Sequence, residues 1–177
     1  MSRHRLHSFR TGGFTVLEVL IALLIFSFGL IGLAGLLMVS VKTNHGAYLR
    51  SQAIFLAGNL ADRMRANVYG VWKDSYNATY PVKGTAPDCS TAKVCTPAQL
   101  TLRDQVIWGG MMQTLLPNPS ATLDCARPAG APAVTADILL TRPPYDGLCT
   151  LRISWSEQSL AIGGNNETPT FSWVFKP

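Results

Sequence analysis

Residues 19–41 form an unbroken run of 23 uncharged residues, VLIALLIFSFGLIGLAGLLMVSV, and this run limits what the chain can be. At 1.5 Å of rise per residue, a helix of that length covers roughly 35 Å, enough to cross a hydrocarbon core of about 30 Å. No second run in the sequence approaches membrane length, which excludes a polytopic membrane protein. Ahead of the run, residues 1–13 carry Arg3, Arg5 and Arg10 and no acid. Basic residues on the N-terminal side predict a cytoplasmic N-terminus, with residues 42–177 across the membrane. The net charge of +5 is therefore mainly a topology signal. Without residues 1–13 it falls to +2, a weak argument for a nucleic-acid partner.

The order of features around the run is unlike that of an ordinary secretory signal peptide, whose small-residue cleavage site follows a shorter apolar core. Here the pair Gly12-Gly13 precedes the run, so a cut after Gly13 leaves the helix on the mature chain. An uncut signal anchor is the other reading. Glu18 is the only charge between residues 14 and 41. A carboxylate costs about 2.5–3.5 kcal/mol at a bilayer centre and less near the headgroups. It lies one turn after Phe14, so a free amine created on Phe14 would be a natural partner, in cis or on a neighbouring helix. Either that pairing or a headgroup position accounts for it.

The residues Gly13-Phe14-Thr15-Val16-Leu17-Glu18 resemble the type III signal of type IV prepilins and pseudopilins. The resemblance implies that a prepilin peptidase cuts between Gly13 and Phe14 and methylates Phe14, and that Glu18 guides subunit docking. Many major pilins carry a proline midway along this helix. This chain has none between 14 and 41, and has Gly29, Gly32 and Gly35 instead. Glycines there fit local melting and close helix packing equally well.

Beyond the run the helical pattern continues. Leu49, Ala53, Leu56, Leu60 and Met64 recur on one face, predicting a single helix over about 15–67. The other face carries Arg50, Gln52, Asn59, Asp62, Arg63 and Arg65, read as solvated, with i,i+3 pairing worth a few tenths of a kcal/mol. Residues 57–67, GNLADRMRAN with its preceding alanine, are similar to the PilV family of type IV pilus modification proteins. So are Cys95 to Leu100, Asp104, Trp108 and Leu115-Leu116-Pro117. That likeness implies a minor pilin serving pilus assembly or initiation, and through it twitching motility and adhesion. Its implied partners are the prepilin peptidase, other minor pilins and the major pilin. Its implied location is the inner membrane, held by residues 14–41, and then the pilus.

In the remainder, residues 68–95 are rich in Gly, Pro, Asn, Asp, Ser and Thr and read as loop. Thr96-Pro97-Ala98-Gln99 supplies an N-cap, a proline at the first helical position and a capping-box glutamine. A helix over 97–115 follows, with Leu100, Ile107, Met111 and Leu115 lining one side, Pro117 and Pro119 stopping it, and Trp108 in the core or under the loop. Period-two alternation then predicts strands at 133–141, around 149–155 and around 171–175, with a short one at 123–126. Turns are expected at 142–147 and 163–166. The expected fold is α+β: a long N-terminal helix, transmembrane then amphipathic, packed on an antiparallel sheet, with an additional helix at 97–115. This is the pilin fold the resemblance implies. The expected division is a leader at 1–13, a membrane and filament helix at 14–41 and a periplasmic domain at 42–177.

All four cysteines, Cys89, Cys95, Cys125 and Cys149, lie beyond the run, in what the topology makes an oxidising compartment. Disulfides are expected. Of the three pairings, Cys89 with Cys95 and Cys125 with Cys149 is preferred because it joins sequence neighbours. The cysteine spacings do not match common zinc sites, and His45 is the only histidine beyond the leader. No catalytic motif is present, so neither an enzyme nor a cofactor or metal protein is expected. Two other functions remain open: a minor pseudopilin of type II secretion, and a membrane-anchored periplasmic binding module, with DNA as one ligand. The sequence establishes neither a nucleic-acid nor a small-molecule ligand.

Overall fold

The computed structural model describes residues 12–90, 92–157 and 166–177. Its longest element is α1 (Val16–Ala66), 51 residues. Two compact units divide within this helix, Met1–Thr43 and Asn44–Pro177.

In the first unit, α1 starts behind Thr15, whose Oγ1 accepts the Glu18 N–H at 3.2 Å. An 18-residue window of α1 reaches a mean hydropathy of 2.6, and none of it is buried. This is the one described helix long and apolar enough to cross a bilayer. A stretch of Leu, Ile, Val and Phe with no apolar partner is stable in water only at great cost, and in lipid at none.

The second unit is built on the other half of α1. Leu49, Ala53, Leu56, Ala57, Leu60, Ala61 and Met64 are its buried residues, the helical face read from the sequence. The helix ends at Asn67, whose Oδ1 accepts the Gly70 N–H and starts α2 (Val68–Trp72). Next come β1 (Ala78–Tyr80), α3 (Pro97–Leu115), β2 (Ser120–Ala126), α4 (Ala136–Thr141), β3 (Leu148–Ser154) and β4 (Thr170–Phe175). The four strands form one antiparallel sheet in the order β1-β2-β3-β4. Each inward position alternates with an outward one: Ala121, Leu123, Cys125, Cys149, Leu151 and Ile153 are buried. The fold is α+β, a long helix and an antiparallel sheet, consistent with the pilin fold.

Four expectations need correction. Residues 68–95 are not all loop. They contain α2 and β1, whose brevity hides both from periodicity. Residues 133–141 hold a helix, not a strand: the Thr135 hydroxyl accepts the Ile138 N–H and caps α4. The buried side of α3 is Thr101, Asp104, Gln105, Trp108, Gly109 and Met112. Leu100, Ile107, Met111 and Leu115 are half-exposed beside it. Arg63 is not on a solvated face. The α3 cap itself matches the sequence reading: Thr96 accepts from Gln99 N–H, and Gln99 reaches back to the Thr96 N–H. The turn expected at 163–166 falls mostly outside the described residues.

The cysteines pair as sequence neighbours. Cys89–Cys95 closes a short loop before α3, and Cys125–Cys149 joins directly opposed residues of β2 and β3.

Candidate functional site

Two groups of residues carry the chemistry singled out in the sequence, one in each unit. The first is the segment from Gly12 to Glu18. Gly12, Gly13 and Phe14 precede the helix and are exposed, and a side chain placed at either glycine would meet nothing within 4 Å. Phe14 and Glu18 line one shallow apolar groove with Ala22 and Phe26. Glu18 sits in the first turn of α1. There its charge faces the positive end of the helix macrodipole, and its N–H is satisfied by Thr15. The sequence signal for this was available and missed. Thr15-Val16-Leu17-Glu18 is the T-x-x-E pattern of a helix N-terminus.

The second group lies where α1, α2 and α3 meet. Arg63 Nη1 is 3.0 Å from Asp104 Oδ1, and Arg63 Nε donates to Asn59 Oδ1 at 2.8 Å, which fixes the guanidinium. The other carboxylate oxygen, Asp104 Oδ2, accepts the Tyr76 hydroxyl at 2.8 Å. Asn67 Nδ2 donates to the Pro97 carbonyl and to Thr101 Oγ1, each at 2.9 Å. Four helices or turns are thus tied by one polar network, and no buried side-chain polar atom among the described residues lacks a partner. Gly70 is needed here. A side chain on it would meet Thr101 Oγ1 at 2.5 Å and Asn67 Nδ2 at 2.8 Å. Next to the network, Trp108 Nε1 donates to the Leu56 carbonyl of α1 at 2.8 Å, and its ring meets Tyr80 edge-on at 4.9 Å.

Leu60, Arg63, Met64, Asn67, Asp104 and Trp108 are distant in sequence and form one α1–α3 clamp. Arg65 does pair with Asp62 at i,i+3, both exposed, as the solvated-face reading has it. A further cluster pins the stretch between β2 and β3. Arg127 lies 5.1 Å over the Trp72 ring and makes a bidentate pair with Asp146 at 2.6 and 2.7 Å. Those hydrogen bonds hold the Asp146 carboxyl below the usual carboxylate range.

Three tyrosines of the domain have raised pKa values. Burial pushes Tyr76 up, reinforced by its hydrogen bond to Asp104 and that group's charge. Burial likewise raises Tyr80. Tyr145 is pushed up to about 12 by burial and then by the charge of Asp74. An acid whose folded pKa exceeds its unfolded value stabilises the fold fully below the unfolded value. Here that value is 10.0, and above it the unfolded chain sheds protons that the folded one keeps. Stability is therefore expected to hold flat with respect to these groups up to about pH 9 and to fall steeply above pH 10. Tyrosinate absorbance near 295 nm, followed with circular dichroism, should rise together with unfolding. Ionisation of all five tyrosines near pH 10 with the fold intact would contradict it.

No curated protein and no solved structure matches the chain. Residues 35–106, which hold most of the α1–α3 clamp, match the model of the Tt1218-like family, described as Type IV pilin Tt1218. The match covers part of the chain, and it fits the long helix and the antiparallel sheet in being a type IV pilin model.

Proposed function

We infer that the chain is a minor pilin of the PilV kind. It is made as a prepilin, cut between Gly13 and Phe14, methylated on Phe14, and held in the inner membrane by residues 14–41. Residues 1–13 face the cytoplasm as a discarded leader, and residues 42–177 form the periplasmic domain. It then enters a type IV pilus with other minor pilins and the major pilin, where it serves assembly and, through it, twitching motility and adhesion.

The observation that carries this reading is the first half of α1: wholly exposed, strongly apolar and with one carboxylate, at residue 18. The exposed accessible junction at 12–14 supports cleavage there. Further along, Tyr48, Ile54 and Phe55 add apolar side chains, each more than half exposed, to the otherwise polar outer face of α1, which suits a helix destined for neighbours. The pilin-family match favours a pilus over a type II secretion pseudopilin, since the leader alone serves both.

Mass spectrometry of the protein purified from membranes tests the first step. The expected N-terminus is N-methylated Phe14; an intact Met1 or a cut elsewhere sinks the reading. Glu18→Ala is expected to be cut normally yet to be absent from sheared filaments, a loss of tenfold or more by immunoblot, since its docking charge would supply on the order of 1.4 kcal/mol. Normal incorporation of that variant would remove the docking role.

A further inference from the structure

Three elements of the second unit converge on Gly46 of α1. The Glu157 carboxylate packs on this glycine: a side chain there would meet Glu157 Oε2 at 3.4 Å. Glu157 Oε1 accepts the indole N–H of buried Trp155 at 2.7 Å, so the carboxylate is held from both sides. Just past the end of β3 and ahead of β4, Glu157 and Glu167 exchange backbone hydrogen bonds at 2.8 Å. The Ser156 N–H donates to the Pro117 carbonyl at 2.9 Å, which brings the end of α3 to the same place. The opposite end of the unit is equally well defined, because α3 runs antiparallel to α1. Its first residue, Pro97, accepts from Asn67, and Trp108 midway along it donates to the Leu56 carbonyl. About 31 Å of helix separates Gly46 from Asn67. The Cys89–Cys95 loop, which leads into α3, therefore stands at the far end from Gly46.

Chain length limits how far Gly46 can be from the apolar run. It follows Val41 by five positions, about 7.5 Å of rise as helix and at most roughly 18 Å if fully extended. Phospholipid headgroups occupy about 5–7 Å beyond the hydrocarbon on each side of a bilayer. The residues gathered at Gly46 are therefore tethered within reach of that layer, and their chemistry suits it. Asn118, Asn166, Glu167 and Thr168 are exposed there, beside half-buried Ser156 and Glu157. None is a large apolar residue that would seek the hydrocarbon, and none is a lysine or arginine that would select an anionic leaflet. Amides, hydroxyls and two carboxylates match the ammonium group of a zwitterionic headgroup.

We propose that this end of the domain, where β3 has stopped, β4 is about to start and α3 has just ended, rests on the bilayer surface, with the ammonium headgroups of zwitterionic phospholipid as its partner. The proposal rests on the reading that residues 14–41 are held in the membrane, and adds a lipid contact made by the domain itself.

The test uses the full chain reconstituted in vesicles of phosphatidylethanolamine and phosphatidylcholine. A fluorescent amino acid is placed in turn at Thr168, at Val94 in the far loop and at Leu30 in the apolar run, all exposed positions. Bromine on the acyl chains should quench the label at position 30. Failure there overturns the anchor itself and this proposal with it. With the anchor in place, a nitroxide carried on the lipid headgroups should quench the label at 168 severalfold more than the label at 94. Inserting seven helical residues after Thr43 lifts the domain by roughly 10 Å and nearly keeps its rotation, so quenching at 168 should fall to the level at 94. Replacing phosphatidylethanolamine by phosphatidylglycerol sets anionic lipid against Glu157 and Glu167, and quenching at 168 should again fall severalfold. Equal quenching at 168 and 94, persistence in the lengthened chain, or indifference to the exchange of lipid overturns the proposal.

Discussion

Trp108→Ala is expected to destabilise the 44–177 unit by about 4 kcal/mol, the middle of the range for truncating a buried aromatic side chain. Trp108 has no exposed surface, so the change leaves a cavity the size of an indole. It also removes the edge-on contact with Tyr80 and the hydrogen bond to the Leu56 carbonyl. The lost bond matters because it joins α3 to α1 across the core. Thermal unfolding of the detergent-solubilised chain should shift down by roughly 15 °C for a domain of this size. Trp108→Phe fills most of the space and should cost about half as much, the remainder reflecting the missing N–H donor. A shift of only a few degrees for the alanine variant would mean that α3 is not packed on α1 through this residue.

Asp104→Ala should cost about 3 kcal/mol by leaving the Arg63 guanidinium and the Tyr76 hydroxyl without their acceptor. The value is set at the low end for a buried pair because the Arg63 side chain is 23% exposed and keeps some water, whereas that of Asp104 is 7% exposed. Arg63→Met with Asp104→Ala removes the stranded charge and should regain part of the loss. A double-mutant cycle in urea then gives the coupling directly. If the two single changes simply add, the clamp is not an ion pair in solution.

The contrast between these two residues shows where the sequence was readable. Trp108 could be read from its apolar bulk alone as buried, in the core or under the loop, and the structure puts it in the core. Asp104 could not, because hydropathy reads a carboxylate as outward-facing, and only the distant Arg63 and Tyr76 make an inward position tolerable. The same cause misplaced the inner side of α3, where Thr101, Asp104 and Gln105 are buried by polar partners on other elements. Local signals served well where they are strong. The unbroken 3.6-residue pattern gave α1, the Thr96–Gln99 box gave the start of α3, and alternation gave β3 and β4. They failed where elements are short. The five residues of α2 and three of β1 are too few for a repeating pattern to show, and in 133–141 Thr135 and Asp137 mark a helix start that the apolar residues mask. At the N-terminal site the resemblance drew attention to Glu18 as a docking group and obscured its plainer part in starting the helix.

The disposition of the two disulfides has a mechanical consequence. α1 contains no cysteine, and both bridges close loops C-terminal to it. Oxidation therefore staples the sheet and the loop before α3 to themselves and leaves α1 joined to them covalently only through the chain at Asn67. A pull along α1 is borne by the apolar face from Leu49 to Met64 and by polar ties that include Arg63 to Asp104 and Trp108 to Leu56. Reducing agents should leave that resistance unchanged, while a single substitution in the clamp should weaken it: the load path through this subunit is non-covalent.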